Sequence, residues 1–208
     1  MKPEEFYHDG SRDLQRRFGS EQLADHLAHR YVLDELEEGH AEWIRGADAV
    51  YVATIDPDGF PECSYKGGLP GFVRVPDLRT LEIPSYDGNG MYRTLGNAAA
   101  VRRVGLLFLF PALRAKLRVN GTCEVLTDRD ALHPHHGAEA VLRVGVTAVF
   151  ENCPRYLHDP VTGEHSKHCP RPGHRPPDPE WKLKPEYDGL LPAPRSELIE
   201  DRIQESNR

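Results

Sequence analysis

The spacing of apolar residues changes near residue 49. Before it, Leu23, Leu27 and Tyr31 recur every fourth position, Ala24 and Ala28 stand beside them, and Ser20 occupies an N-cap position. A second helix is expected to start at Asp34–Glu37 and to run through Leu36 towards Trp43 and Ile44, with Gly39 working against it. From Ala49 the pattern becomes that of strands. "AVYVATI" ends on the turn "DPDG", "FPECSYK" alternates, and "GFVRV" and "RTLEIP" flank "PDL" as a hairpin. "GMYRTLGNAAAVRR" reads as a short helix. "VGLLFLF" is a continuous apolar run, expected to be buried on both faces. "AKLRVNGTCEVL" places Leu117, Val119, Cys123 and Val125 on one face and Lys116, Arg118, Asn120 and Glu124 on the other. "DRDALHPHHGAEA" interrupts the strands and "VLRVGVTAVFENC" is the last of them. About six closely spaced strands with few helices between them predict a mainly β fold with flanking helices, an antiparallel barrel or sandwich.

Length and charge narrow the classes. A chain of 208 residues suits one domain with extensions. A net charge of -7 argues against a general nucleic-acid or anionic-membrane surface. No apolar run approaches the roughly 20 residues of a membrane span. The start, "MKPEEFYHDGSRDLQRRFG", lacks the apolar core of a signal peptide, so a cytoplasmic location is expected. The four cysteines, Cys63, Cys123, Cys153 and Cys169, form no close pair and read as free thiols. The expected organisation is a helical extension over residues 1–48, a barrel over 49–157, and a Pro- and His-rich extension over 158–208. The stretch "SELIEDRIQESNR" at its end reads as a short helix or a frayed one.

Two segments carry candidate chemistry. In extended backbone Ser64 and Lys66 point one way and Cys63 and Tyr65 the other. A hydroxyl and an ammonium on one face can hold a phosphate, and Gly67–Gly68 would leave room for a planar ligand. A solvated strand face followed by a turn is the plainer reading of the same residues. The second segment, "IPSYDGNGMYRTLGN", ends a strand, turns through Asp87–Gly90 and opens a helix whose N-terminus favours anions. Arg93 and Asn97, four apart, share a face of that helix. Lys116 and Arg118 form a basic strand face, either solvated or offered to a neighbouring chain.

The order of these elements resembles the pyridoxamine 5'-phosphate oxidase-related family, which has an FMN-binding split barrel. The resemblance covers roughly residues 45–157. It rests on "VATIDPDGFPECSYKGGLPGFVRV", "TLEIPSYDGNGMYRTLGN", "VGLLFLF", "LRVNGTCEVL" and "ENCPRYLH" in that order. It implies a six-stranded antiparallel split β-barrel and a homodimer with FMN at its interface. By position, Cys63, Ser64, Tyr65 and Lys66 would touch the flavin, Asn89, Met91 and Arg93 its phosphate end, and Lys116 with Arg118 would reach it across the dimer. The implied activity is FMN-dependent oxidoreduction of a small molecule. F420 or haem in place of FMN, or a flavin-binding module without turnover, are the alternatives. The authentic oxidases carry an Arg-Lys pair where this chain has "DGNG", and an "RLHDR"-like C-terminal motif absent here. Pyridoxamine phosphate is therefore not the expected substrate. Trp181 in "PEWKLKP" is the aromatic residue that could pack near a flavin.

The histidines add no metal site to this expectation. His165 and His168 are three apart, but Cys169 follows at once and would chelate awkwardly beside His168, with His174 further on. "HPHH" at 133–136 reads as polar loop, and Cys153 as a structural thiol.

Overall fold

Alternation of small apolar and polar side chains decides which side of each strand is buried, and the sheet follows from it. In the computed structural model, residues 3–159, 162–174 and 176–192 are described. The chain divides into two compact units, Val32–His174 and the pair of ends Met1–Tyr31 with Arg175–Arg208.

The ends form a small helical unit: α1 (Pro3–Phe6), α2 (Asp9–Arg17) and α3 (Glu21–Tyr31), with 3-10 turns at Glu180–Leu183 and Pro185–Tyr187. The Ser20 carbonyl accepts the Ala24 amide as an N-cap carbonyl should. Leu23 and Ala28 are buried, whereas Tyr31 is exposed. The Tyr31 and Tyr187 hydroxyls meet at 3.1 Å. Burial first, then this bond and the carboxylate of Glu186, push the Tyr187 hydroxyl well above the ordinary tyrosine value. Trp181 packs edge-on to Tyr187, 5.1 Å between ring centroids. The expected C-terminal helix or frayed end at 196–208 lies outside the described residues.

The larger unit is built on seven strands: β1 (Ala49–Ile55), β2 (Pro61–Gly67), β3 (Arg74–Asp77), β4 (Thr80–Ser85), β5 (Arg103–Phe110), β6 (Ala115–Leu126) and β7 (Ala140–Glu151). All named pairings are antiparallel, in the order β2-β1-β5-β6-β7-β4-β3. The mainly β expectation is met, but the six strands become seven, and no ladder joins β2 to β3 among the described residues. The strand expected in "GFVRV" is β3, shifted towards the turn and only four residues long, with Pro76 at an edge where a missing amide costs no ladder bond.

Helix α4 (Glu38–Arg45) precedes the sheet, and α5 (Arg93–Val101) joins β4 to β5. Helix α4 starts later than the Asp34 signal suggested. Glu37 caps it in a reciprocal box with His40, while Asp34 faces Arg79 at 3.6 Å. A one-turn helix, α6 (Arg129–Leu132), stands between β6 and β7. The core gathers Leu36, Ile44, Val50, Val52, Val73, Leu81, Ile83, Phe108, Leu117, Val119 and Val144, all 2 % exposed or less.

Strand β6 alternates as expected. β5 does not bury both faces: Val104, Leu106, Phe108 and Phe110 enter the core, and Leu107 and Leu109 stay half-exposed. Their side of the sheet carries a cross-strand row, Tyr65–Tyr51–Leu107–Arg118–Phe150, that is only partly covered. Gly121 has a packing reason, since a Cβ there would lie 2.5 Å from the Gly145 carbonyl oxygen where β6 and β7 shift register. No described helix is long and apolar enough to cross a membrane.

Candidate functional site

Antiparallel register sorts the β2 side chains into two sets. Glu62, Ser64 and Lys66 lie opposite Thr54, Val52 and Val50, whose side chains are buried, so these three face the inner side of the sheet. Cys63 and Tyr65 lie opposite Ala53 and Tyr51 and face outward. The inner set forms one wall of a cleft of about 380 Å³. The other wall is the end of β4 (Ser85, Tyr86), the turn Gly88–Tyr92, and the first turn of α5 (Arg93, Thr94, Leu95).

The turn is bent to present that helix end. Asn89 Oδ1 accepts the Met91 amide at 3.0 Å, Gly90 has φ +74°, and Tyr92 has φ +48°. A tyrosine in the left-handed region is strained by roughly 1 kcal/mol or more, and such strain collects at functional loops. Tyr92 is the N-cap of α5 and places no side-chain acceptor on the helix amides. The N-terminus of α5 therefore opens on the cleft with its dipole uncapped. The Tyr92 hydroxyl instead donates to Glu139 at 3.0 Å, and this bond, then that carboxylate's charge, raise its pKa from the ordinary value.

Two cations reach the cleft. Lys66 is half-buried and enters no ion pair with the described residues. Arg93 is half-exposed and lies 3.8 Å from Asp56, whose carboxylate also accepts the Asp58 and Phe60 amides in the β1–β2 turn. At the cleft floor is a network that the sequence reading missed. Glu62 accepts from Thr54 (3.0 Å) and Thr94 (3.1 Å), and the buried Asn97 donates to Thr54 at 3.3 Å. Thr94 and Ser64 are 3.0 Å apart. Asn97 thus turns under the sheet and does not share the cleft with Arg93. Glu62 sits on the same period-two face as Ser64 and Lys66, and that spacing was the signal that could have found it.

Ser64, Lys66, Asn89, Met91 and Arg93 come together at the cleft; Tyr65 borders it, but its ring lies on the outward face against Tyr51, 5.6 Å between ring centroids. Cys63, Lys116 and Arg118 do not reach it. Cys63 is on the outward side of β2, and Lys116 and Arg118 pair with Leu109 and Leu107 on the half-exposed face, where Arg118 lies over the Phe150 ring at 5.8 Å. The paired glycines serve packing. A Cβ on Gly68 would sit 2.6 Å from the Phe72 side chain, and one on Gly67 3.0 Å from the Tyr65 ring. They make room for neighbouring aromatic rings, which replaces the reading that they clear space for a ligand. No three His, Cys, Asp or Glu side chains converge as a metal site among the described residues.

A family model described as pyridoxamine 5'-phosphate oxidase matches residues 36–153, more than half of the chain. No curated protein matches. Among solved structures, HupZ of Group A Streptococcus is 19% identical, with 56% of this chain and 93% of that one covered and a TM-score of 0.45. A candidate pyridoxamine 5'-phosphate oxidase of Lactobacillus delbrueckii is 24% identical, with 57% and 95% covered and a TM-score of 0.45. An FMN-binding protein of Syntrophomonas wolfei is 10% identical, with 53% and 84% covered and a TM-score of 0.39.

Proposed function

The chain belongs to the pyridoxamine 5'-phosphate oxidase family, and on that premise we propose that it is an FMN-dependent oxidoreductase acting on a small molecule. The observation that carries the reading is the cleft between β2 and α5. An uncapped helix N-terminus, Lys66 with no ion pair among the described residues, and the exposed guanidinium of Arg93 meet there. These groups fit a phosphate: backbone amides and a dipole end supply directed donors, and the two side chains supply charge. Lys66, Arg93 and Asn89 would hold the phosphate end, with Tyr65 and Met91 against the flavin. When bound, the flavin supplies the electron transfer, so no protein nucleophile is required. The chain's own part is to bind, orient and shield.

The half-exposed row from Tyr65 to Phe150 supports a second proposal, that two copies pack on this face with cofactor at their interface. Tyr51, Leu107 and Leu109 supply apolar surface, and Lys116 and Arg118 then face the partner chain. Sedimentation of the cofactor-loaded protein is expected to give a two-chain mass. A monomer with stoichiometric FMN would refute the interface.

Fluorescence titration with FMN and riboflavin tests the cofactor reading. FMN is expected to bind more tightly, and equal affinities would remove the phosphate from the account. Pyridoxine 5'-phosphate is expected to be a poor substrate, because the cations of this cleft are taken up by the FMN phosphate and a second buried phosphate would need its own. A peroxide-coupled assay giving kcat/KM above about 10⁴ M⁻¹s⁻¹, the lower edge of ordinary enzymes, would overturn that expectation.

A further inference from the structure

The cleft turn leaves the sheet at Ser85 and ends at Tyr92, the residue before α5. Both ends meet one residue. The Glu139 amide donates to the Ser85 carbonyl at 2.9 Å, and the Glu139 carboxylate accepts the Tyr92 hydroxyl at 3.0 Å. Glu139 stands on the framework of the sheet. The next residue, Ala140, is buried and pairs with Ser85 at the start of β7, and in the loop before it the buried His135 ring lies against Glu82. The carboxylate is therefore presented from a fixed backbone to the far end of the turn over residues 86–91.

What it holds there is a residue outside its preferred conformation. Tyr92 has φ +48° and ψ +24°, a left-handed backbone that glycine adopts freely and tyrosine does not. The Tyr92 carbonyl nevertheless starts α5, accepting the Gly96 amide at 2.7 Å. The conformation of Tyr92 thus sets the direction in which the first amides of α5 point. Asn89 on the Met91 amide and Gly90 at φ +74° shape the middle of the turn, and the Glu139 bond fixes its end. Glu139 lies outside the cleft lining, so it acts on a bound anion through Tyr92 or through its charge. The two have opposite signs: a nearby carboxylate repels a phosphate, whereas the clamp helps to hold one.

We propose that Glu139 is a positioning residue for the cleft: gripping both ends of the turn, it keeps Tyr92 left-handed and so aims the α5 N-terminus, and Arg93 with it, at the phosphate end of the ligand. The assignment deepens the cofactor reading given above and rests on it.

The test titrates the purified full-length protein with FMN and with riboflavin, which lacks the phosphate. In Glu139→Ala, FMN is expected to bind about fivefold more weakly, the size of one hydrogen bond, and riboflavin as in the wild type. Glu139→Gln keeps an acceptor for the Tyr92 hydroxyl and loses only the charge, so FMN affinity is expected to return to the wild-type level or above it. Were Glu139 acting by charge alone, both variants would tighten FMN. Tyr92→Phe lacks the hydroxyl but keeps the crowded backbone, and is expected to match Glu139→Ala. Tyr92→Gly removes more of the side chain yet takes a positive φ without strain, and is expected to bind FMN more tightly than Tyr92→Phe. Melting midpoints of the cofactor-free variants are expected to stay near the wild type, because both side chains are exposed. Equal losses of FMN and riboflavin in Glu139→Ala, no loss of FMN there, or no rescue by Glu139→Gln overturns the assignment. So does Tyr92→Gly binding FMN no better than Tyr92→Phe. In each of these cases a wild-type preference for FMN over riboflavin leaves the cofactor reading standing. A wild type without that preference overturns both.

Discussion

Two glutamates on this sheet, Glu82 and Glu62, show how neighbours decide what a carboxylate is for. Glu82 on β4 lies in a cross-strand row Arg74–Glu82–Arg143–Glu124. Arg143 reaches its Oε1 with Nη2 at 2.9 Å and Nε at 3.2 Å, His135 Nε2 lies 3.2 Å from its Oε2, and Arg74 lies at 3.8 Å. His135 is buried in the loop that follows α6 and covers the site. Among the described residues Glu62 on β2 has only Thr54 and Thr94 as partners. The first carboxylate is enclosed by charges of opposite sign and ties three strands and a loop together. The second keeps its charge and faces a cleft. Glu82 is buried and Glu62 half-buried, and it is the chemistry of the partners that assigns each its role.

The largest expected effect breaks the first site. Glu82→Ala leaves His135 and Arg143 facing an empty, poorly solvated space, and is expected to cost roughly 3 kcal/mol of stability, the low end for a broken buried pair because both arginines are partly exposed. Denaturant melts would show it, and FMN affinity of the folded fraction is expected to stay at the wild-type level. In the cleft the effect moves from stability to binding. Lys66→Ala is expected to lose on the order of 2 kcal/mol of FMN affinity, near thirtyfold, with the melting midpoint of the cofactor-free protein almost unchanged. Arg93→Ala is expected to lose about 1 kcal/mol, since its guanidinium is solvated and already shared with Asp56. Glu62→Gln is expected to change stability by less than about 1 kcal/mol, because hydroxyl partners can bond an amide nearly as well. A loss as large as that of Glu82→Ala would erase the distinction between the two sites.

The smallest effect is alkaline. Burial pushes the Cys123 thiol above its ordinary value, with Arg102 pulling it partly back. The folded value is the higher one, so this contribution to stability is complete below the unfolded value of about 8.5 and is lost as pH rises through the folded one. Stability is expected to decline above about pH 8.5, less so in Cys123→Ala, as melts across that range would measure.

Both sites show how far local pattern reaches. Period-two alternation placed Ser64 and Lys66 on one face, and it placed Lys116 and Arg118 together opposite the core, all from neighbouring residues. It also held Glu62, which went unread because an acidic residue argues against an anion site unless its hydroxyl partners are seen. Those partners, Thr54 and Thr94, lie eight and thirty-two residues away. His135 looked like part of a polar histidine loop, since Glu82 is fifty-three residues from it. Gly67 and Gly68 suggested an open site, and only packing shows Phe72 and Tyr65 in that space. The edge strand β3 overlaps "GFVRV" only at Arg74 and Val75 and runs on through Pro76 to Asp77, where the proline argued for a turn. Elements came from adjacent residues; the partners that assign a charge its role came from register.

The central claim is that this cleft holds FMN by its phosphate. The visible absorption spectrum of freshly purified protein, with the released cofactor identified by mass, tests it most directly. The account predicts the two-banded spectrum of an oxidised flavin and the mass of FMN. A Soret band, or the mass of a deazaflavin, would contradict it.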